Sequence, residues 1–129
     1  MATIFSKIIA GEIPSYKVAE NDKFLAFLDI TPVAMGHTLV IPKVEVDYFF
    51  DMDSDLLAEI NLFAKEVATK IQRVVPCKKI GVSVVGLEVP HAHMHLIPLN
   101  TIKDMSFTGE RLKLTQEEFE ILAKKIREA

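Results

Sequence analysis

Apolar positions along the chain change their period several times, and each change marks an element. Ile4, Phe5, Ile8 and Ile9 in "TIFSKIIAG" recur at helical spacing, which predicts a short amphipathic helix ended by Gly11 and Pro14. "SYKVAE" and "KFLAFLDI" read as strands, and the turn-forming "END" between them makes a hairpin. Alternation in the second strand puts Phe24, Ala26 and Leu28 on one face and Leu25, Phe27 and Asp29 on the other. "TPVAMG" is a loop, because Pro32 and Gly36 do not suit a strand interior, and "HTLVIP" resumes as a strand closed by Pro42. His37 therefore stands where loop becomes strand.

The longest periodic segment runs from Asp53 or Ser54 to Val74, with Leu56, Ile60, Phe63, Val67, Ile71 and Val74 along one stripe. Asp53 and Asp55 at its start and Lys70 and Arg73 near its end complement a helix macrodipole, and Pro76 is a stop signal. "KKIGVSVVG" then reads as a strand and Leu87–Glu88 as a short loop. "VPHAHMHLIP", Val89 to Pro98, returns as a strand pairing with it. "TQEEFEILAKKIREA" opens on the capping-box pattern of Thr115 and Glu118 and carries Phe119, Leu122, Ala123 and Ile126 at helical spacing. The order predicts an α+β fold: a five-stranded antiparallel sheet with a short N-terminal helix, one long central helix and a C-terminal helix.

Composition narrows the function classes. A chain of 129 residues without linker, repeat or low-complexity tract reads as a single domain, 1–129, able to bury roughly two-thirds of its unfolded surface without disulfides or metal. A net charge of -3 offers no basic field for a polyanion, which argues against nucleic acid as a partner. The lone Cys77 suits a reducing compartment as a passive thiol, and no paired-cysteine spacing offers a zinc site. Neither an 18-residue apolar run nor a charged-then-apolar leader is present, so a cytoplasmic protein without membrane association is expected.

Candidate chemistry lies in the last strand. His91, His93 and His95 share one face there, about 6.8 Å apart, and Ala92, Met94 and Leu96 share the other. The apolar face is expected to be core and the imidazole face not. The solvated side of an edge strand would account for one histidine, but histidine is a poor β-former with no packing reason to recur three times. Imidazoles bind transition metals, and they act as nucleophiles or proton carriers near neutral pH. Against a metal stand the lack of an evident carboxylate partner in the motif and the distance of about 13.6 Å from the first histidine to the third. A central imidazole can instead attack phosphorus through one ring nitrogen while a fixed acceptor holds the other, with its neighbours donating to phosphate oxygens. His93 is the nucleophile candidate.

The run His91-Ala92-His93-Met94-His95-Leu96-Ile97 resembles the His-φ-His-φ-His-φ-φ signature, φ being apolar, of the histidine triad (HIT) family of nucleotide hydrolases and transferases. "IFSKIIAGEIPS", "LAFLDITP" and "GHTLVIPK" resemble its Hint-like branch, extending the likeness over residues 3 to 98. This resemblance implies a HIT-like fold and a homodimer whose two sheets join into ten strands, with the long helix at the interface. It also implies roles. His93 would form the nucleotidyl-imidazole intermediate on the α-phosphate, with the His91 carbonyl holding its other N–H, and His95 and His37 would assist with phosphate oxygens and protons. Asp29 would accept from both ribose hydroxyls, although by itself it also reads as a turn-capping residue before Thr31 and Pro32. Phe5, Ile8, Phe27 and Ile30 would wall a purine pocket, or equally serve as plain core.

Some positions depart from the pattern. Gly86-Leu87-Glu88-Val89 replaces a Gly-Gln-Ser/Thr-Val approach, so Leu87 stands where relatives place a phosphate-contacting glutamine. The Glu88 and Val89 backbone N–H groups would still face phosphate, or the Glu88 side chain would select a cationic leaving amine. Leu28 stands where some relatives have another histidine. Ser6 stands where zinc-containing relatives have a cysteine, which argues against a metal, and no cofactor is implied. Residues 100–114 receive no role. The expectation is a nucleoside 5′-phosphoramidate hydrolase, or one acting on related purine nucleoside monophosphate derivatives of AMP or GMP type. Cleavage of dinucleoside polyphosphates, a non-catalytic purine-nucleotide-binding dimer and a zinc hydrolase are the alternatives.

Overall fold

A computed structural model of the protein describes residues 3–129; Met1 and Ala2 lie outside it. Five antiparallel strands, β1 (Lys17–Glu20), β2 (Phe24–Leu28), β3 (Thr38–Pro42), β4 (Lys79–Ser83) and β5 (Met94–Leu99), form one sheet in the order β1-β2-β3-β5-β4. The helices are α1 (Ile4–Ile9), α2 (Ser54–Val74) and α3 (Gln116–Arg127). None of the described helices is long and apolar enough to cross a membrane.

Period-two alternation gives the sheet two different faces. Phe24, Ala26, Leu28, Val40, Met94 and Leu96 lie in one cluster with Ile60, Phe63, Val67 and Ile71 of α2 and Phe119, Ala123 and Ile126 of α3. Leu25, Phe27, Leu39 and Ile41 face the other way and pack with Phe5 and Ile8 of α1. Burying each such side chain contributes roughly 1.5–3 kcal/mol, so α1 is held by its two inward residues and not by its length, which is too short for a stable isolated helix. Its start is fixed by a capping box in which the Ser6 N–H donates to Thr3 Oγ1 at 3.1 Å and the Thr3 N–H to Ser6 Oγ at 2.6 Å. Asp53 caps α2 through the Leu56 N–H at 2.8 Å, and Thr115 and Glu118 form the expected box on α3.

Three expectations need correction. The histidine strand begins at Met94, not Val89, and the connection from β4 takes residues 84–93, not two. Its cause is local: the His91 N–H turns back to the Val89 carbonyl at 2.8 Å and the Ala92 N–H bonds the Val46 carbonyl, so this segment is pinned away from the ladder. The solvated-edge alternative, already disfavoured by three alternating histidines, does not hold, since β3 and β4 flank β5. Nor is the imidazole face outside the core. His37, His91, His93 and His95 are all buried: Phe5 of α1 stands against His91 and His93, and Phe107 against His37 and His95.

Candidate active site

Buried imidazoles must bond, and here the bonds decide which nitrogen carries each proton. His93 Nδ1 lies 2.7 Å from the His91 carbonyl oxygen, which can only accept, so the neutral ring carries its proton on Nδ1 and keeps a lone pair on Nε2. His91 Nε2 is held the same way, 2.8 Å from the Pro42 carbonyl, with Thr3 Oγ1 at 3.5 Å from its Nδ1. The Val33 N–H, which can only donate, points at His37 Nδ1 at 3.1 Å. The His37 proton is therefore on Nε2 and is given to His95 Nδ1 at 2.9 Å, leaving His95 with its N–H on Nε2. His93 and His95 line a cavity of about 410 Å³, whereas His37 and His91 stand behind them. Of the four rings, two face the cavity; the His91 carbonyl holds His93, and the His37 ring holds His95.

Burial pushes His37 down to about 4, against the pull of the Asp29 carboxylate, and the Arg111 charge adds to the depression. His95 is pushed down to about 3, first by burial and then by the neighbouring His37, His93 and Arg111 charges. Both rings are therefore neutral at physiological pH. His95, with its N–H on Nε2, can donate a hydrogen bond to an oxyanion without itself carrying charge.

The sequence-derived wall residues come together in the same cavity. Phe5, Ile8 and Phe27 line it from α1 and β2, with Ile30, Asp29, Glu88 and Val89 along its rim. Phe5 and Phe27 meet edge to face at 5.7 Å, and the Phe5 ring also stands edge-on to His93 at 5.0 Å, so one aromatic residue braces both the apolar wall and the His93 ring. Ile30 is 65% exposed, a pocket-rim residue and not core. Asp29 caps the turn as one of its readings had it: Oδ1 accepts from the Thr31 N–H at 2.8 Å and from Thr31 Oγ1 at 3.1 Å, while Oδ2 lies 3.6 Å from His37 Nε2.

Several lining residues were not foreseen. Leu39 faces the cavity beside Phe27, its partner across the β2–β3 ladder, and β-strand alternation alone would have found it. Phe107 and Arg111 lie in the stretch to which no role was given, a segment without periodicity. The Phe107 ring packs against His95 at 4.7 Å between centroids, and the Leu112 N–H ties the segment to the Pro32 carbonyl at 2.8 Å.

A carboxylate does lie near the histidines, contrary to the reading of the motif. Ligand atoms of Asp29, His37 and His95 fall within 4.8 Å of one another. A cation on His37 Nε2 would displace that proton to Nδ1, where the Val33 N–H already donates. Two donors would then face each other. This donor set fits a shared proton better than a metal.

Comparison with known proteins agrees with this geometry. The HIT domain family profile matches residues 10–102. A HIT-like protein of Borreliella burgdorferi is 37% identical over 131 residues, covering 95% of this chain and 94% of that one. An adenosine 5′-monophosphoramidase of Saccharomyces cerevisiae is 38% identical over 110 residues, covering 84% of this chain and 69% of that one. The crystal structure of a HIT-like protein of Bartonella henselae superposes with a TM-score of 0.83 at 34% identity, covering 98% of this chain and 94% of that chain. The chain belongs to the histidine triad family of nucleotide-binding proteins and hydrolases, in its Hint-like branch.

Proposed function

We propose that the protein hydrolyses nucleoside 5′-phosphoramidates, or closely related purine nucleoside monophosphate derivatives, through a covalent intermediate on His93. One observation carries this reading: the His91 carbonyl fixes the His93 proton on Nδ1 and leaves the Nε2 lone pair on a ring that lines the cavity. Nε2 attacks phosphorus, the P–N bond breaks, and the departing amine takes up a proton. Water then attacks the phosphorus–imidazole bond, releases the nucleoside monophosphate and yields a proton, so the cycle balances. The His95 Nε2–H donates to a phosphoryl oxygen as negative charge builds there. Phe5, Ile8, Phe27 and Ile30 hold a purine such as that of AMP or GMP, and Asp29 accepts from the ribose hydroxyls. Similarity to the yeast phosphoramidase supports this choice of bond over the phosphoanhydride of a dinucleoside polyphosphate.

The homodimer belongs to the same proposal. Among the described residues no strand pairs along the outer side of β4, and Val82 on it is 58% exposed, the kind of edge a second copy covers.

Rapid mixing with adenosine 5′-phosphoramidate followed by intact-mass measurement tests the function. The expected species is protein plus one adenylyl group, absent from His93→Ala, with AMP accumulating at steady state. Turnover that persists in His93→Ala would overturn the covalent route, and AMP binding without turnover in the wild type would leave a binding protein.

A further inference from the structure

The family profile ends at residue 102, yet the chain beyond it returns to the site. Phe107 lies against His95 and His37, with centroids 4.7 Å and 6.2 Å away, and Arg111 sits over the outer side of the Phe107 ring, its Cζ 5.7 Å from the centroid. The guanidinium is pinned in two directions: Nη1–H donates to the Thr31 carbonyl at 2.7 Å and Nη2–H to the Phe107 carbonyl at 3.2 Å. Those bonds use two of its five N–H donors, leaving the others for a ligand. Arg111 is also the one Lys or Arg among the described residues lining the cavity, where Asp29 and Glu88 are the acids.

We propose that Arg111 determines leaving-group specificity, recognising an anionic group, a carboxylate or a further phosphate, on the part of the substrate that departs. This rests on the hydrolase reading above. A nucleoside monophosphate derivative already presents its α-phosphate to the imidazoles, and a phosphoramidate that releases plain ammonia gives Arg111 nothing more to bind. A leaving amine that bears a carboxylate, or a leaving nucleotide that bears phosphates, supplies the second anion. Glu88 opposes such a group, but it is exposed and its field is screened by water and salt, whereas Arg111 is half-buried and held by two carbonyls against an aromatic face. The fixed cation outweighs the mobile anion. Because the guanidinium is oriented before substrate arrives, little of its binding is lost to ordering, which a lysine at the same place could not match.

A matched pair of substrates reads this directly: the phosphoramidate of AMP with an amino acid, and the same compound with the carboxylate converted to a carboxamide. They differ by one charge and almost nothing in shape. The wild type is expected to prefer the acid in kcat/KM by about tenfold or more, and Arg111→Gln to collapse that ratio towards one, with Arg111→Lys in between. A second arm compares diadenosine tetraphosphate with adenosine 5′-phosphoramidate in the same variants. Arg111-dependence in the first arm assigns a carboxylate, and in the second a phosphate. The proposal is overturned when neither arm depends on Arg111: the acid preference is absent from the wild type or survives in Arg111→Gln, and the tetraphosphate is cleaved relative to the phosphoramidate as well by Arg111→Gln as by the wild type. General loss of fold lowers both members of each pair alike and does not mimic the expected change. If the wild type turns over none of these compounds and no adduct forms on His93, the hydrolase reading itself has failed, and this inference falls with it.

Discussion

His37 Nε2 stands 2.9 Å from His95 Nδ1, and a third group, the Val33 N–H on His37 Nδ1, decides that His37 is the donor. A backbone amide in the loop before β3 thus sets, through His37, the tautomer of a ring on β5 that lies 58 residues beyond His37 in the chain. It does so without any charge, since burial holds both rings well below their ordinary protonation range.

Removing the ring on the cavity side should therefore cost far more than removing the one behind it. His95→Ala is expected to lower kcat by about a hundred- to a thousandfold, the usual loss of an oxyanion donor, with nucleotide affinity changed only slightly. His37→Phe keeps His95 but frees its tautomer, and a smaller loss is expected. Single-turnover kinetics on adenosine 5′-phosphoramidate measures both. Equal losses would mean that His37 touches substrate.

The same two rings make stability depend on pH. Folded His37 and His95 stay neutral down to about pH 4 and about pH 3, while in the unfolded chain they take protons near pH 6.5. Between those limits the unfolded state binds more protons, so stability is fully present above about pH 6.5 and falls as the pH drops through the window. Each ring adds up to about 1.4 kcal/mol per pH unit to the slope there. Urea midpoints between pH 4.5 and 7 should show a flatter slope in the double variant His37→Gln, His95→Asn than in the wild type; parallel slopes would refute it.

Asp29→Asn separates the two readings of that residue. The amide oxygen can still accept from the Thr31 N–H and hydroxyl, so the turn survives, but the amide nitrogen cannot accept from a ribose hydroxyl. KM is expected to rise about tenfold or more with kcat nearly kept, and discrimination against a 2′-deoxy substrate to shrink. A variant that loses thermal stability and leaves KM alone would make Asp29 a turn residue only.

Gly36 precedes His37 at φ +89, and a Cβ there would sit 2.9 Å from Val75 Cγ2. Gly36→Ala should cost roughly 1–3 kcal/mol in chemical denaturation, from the strained backbone and the contact with Val75. Because the loop also carries the Val33 amide, the variant's activity should fall more than its folded fraction does; activity that simply tracks folding would refute the coupling.

Much of this could be read from the chain, and the remainder has an identifiable reason for being hidden. Phe5 and Ile8 on α1, the stripe from Ile60 to Ile71 on α2 and the cap at Thr115 follow from periodicity and local hydrogen bonding, which act within a few residues. The three alternating histidines announced chemistry for the same reason. The start of β5 was misplaced because Val46 and Val89, neither visible as a signal, claim the backbone of His91 and Ala92.

The order of the strands and long helices, the alternation of residues across the sheet and the candidacy of His93 were legible in the sequence alone, because side-chain alternation and helical spacing are short-range properties. Only the tertiary structure decided which nitrogen of each ring keeps its proton and that Arg111 lines the cavity. Those outcomes depend on single donors and acceptors, Val33, Pro42, Thr31 and the His91 carbonyl, brought within 3.1 Å of their partners by the fold. A hydrogen bond between distant residues leaves no period in the chain to be read.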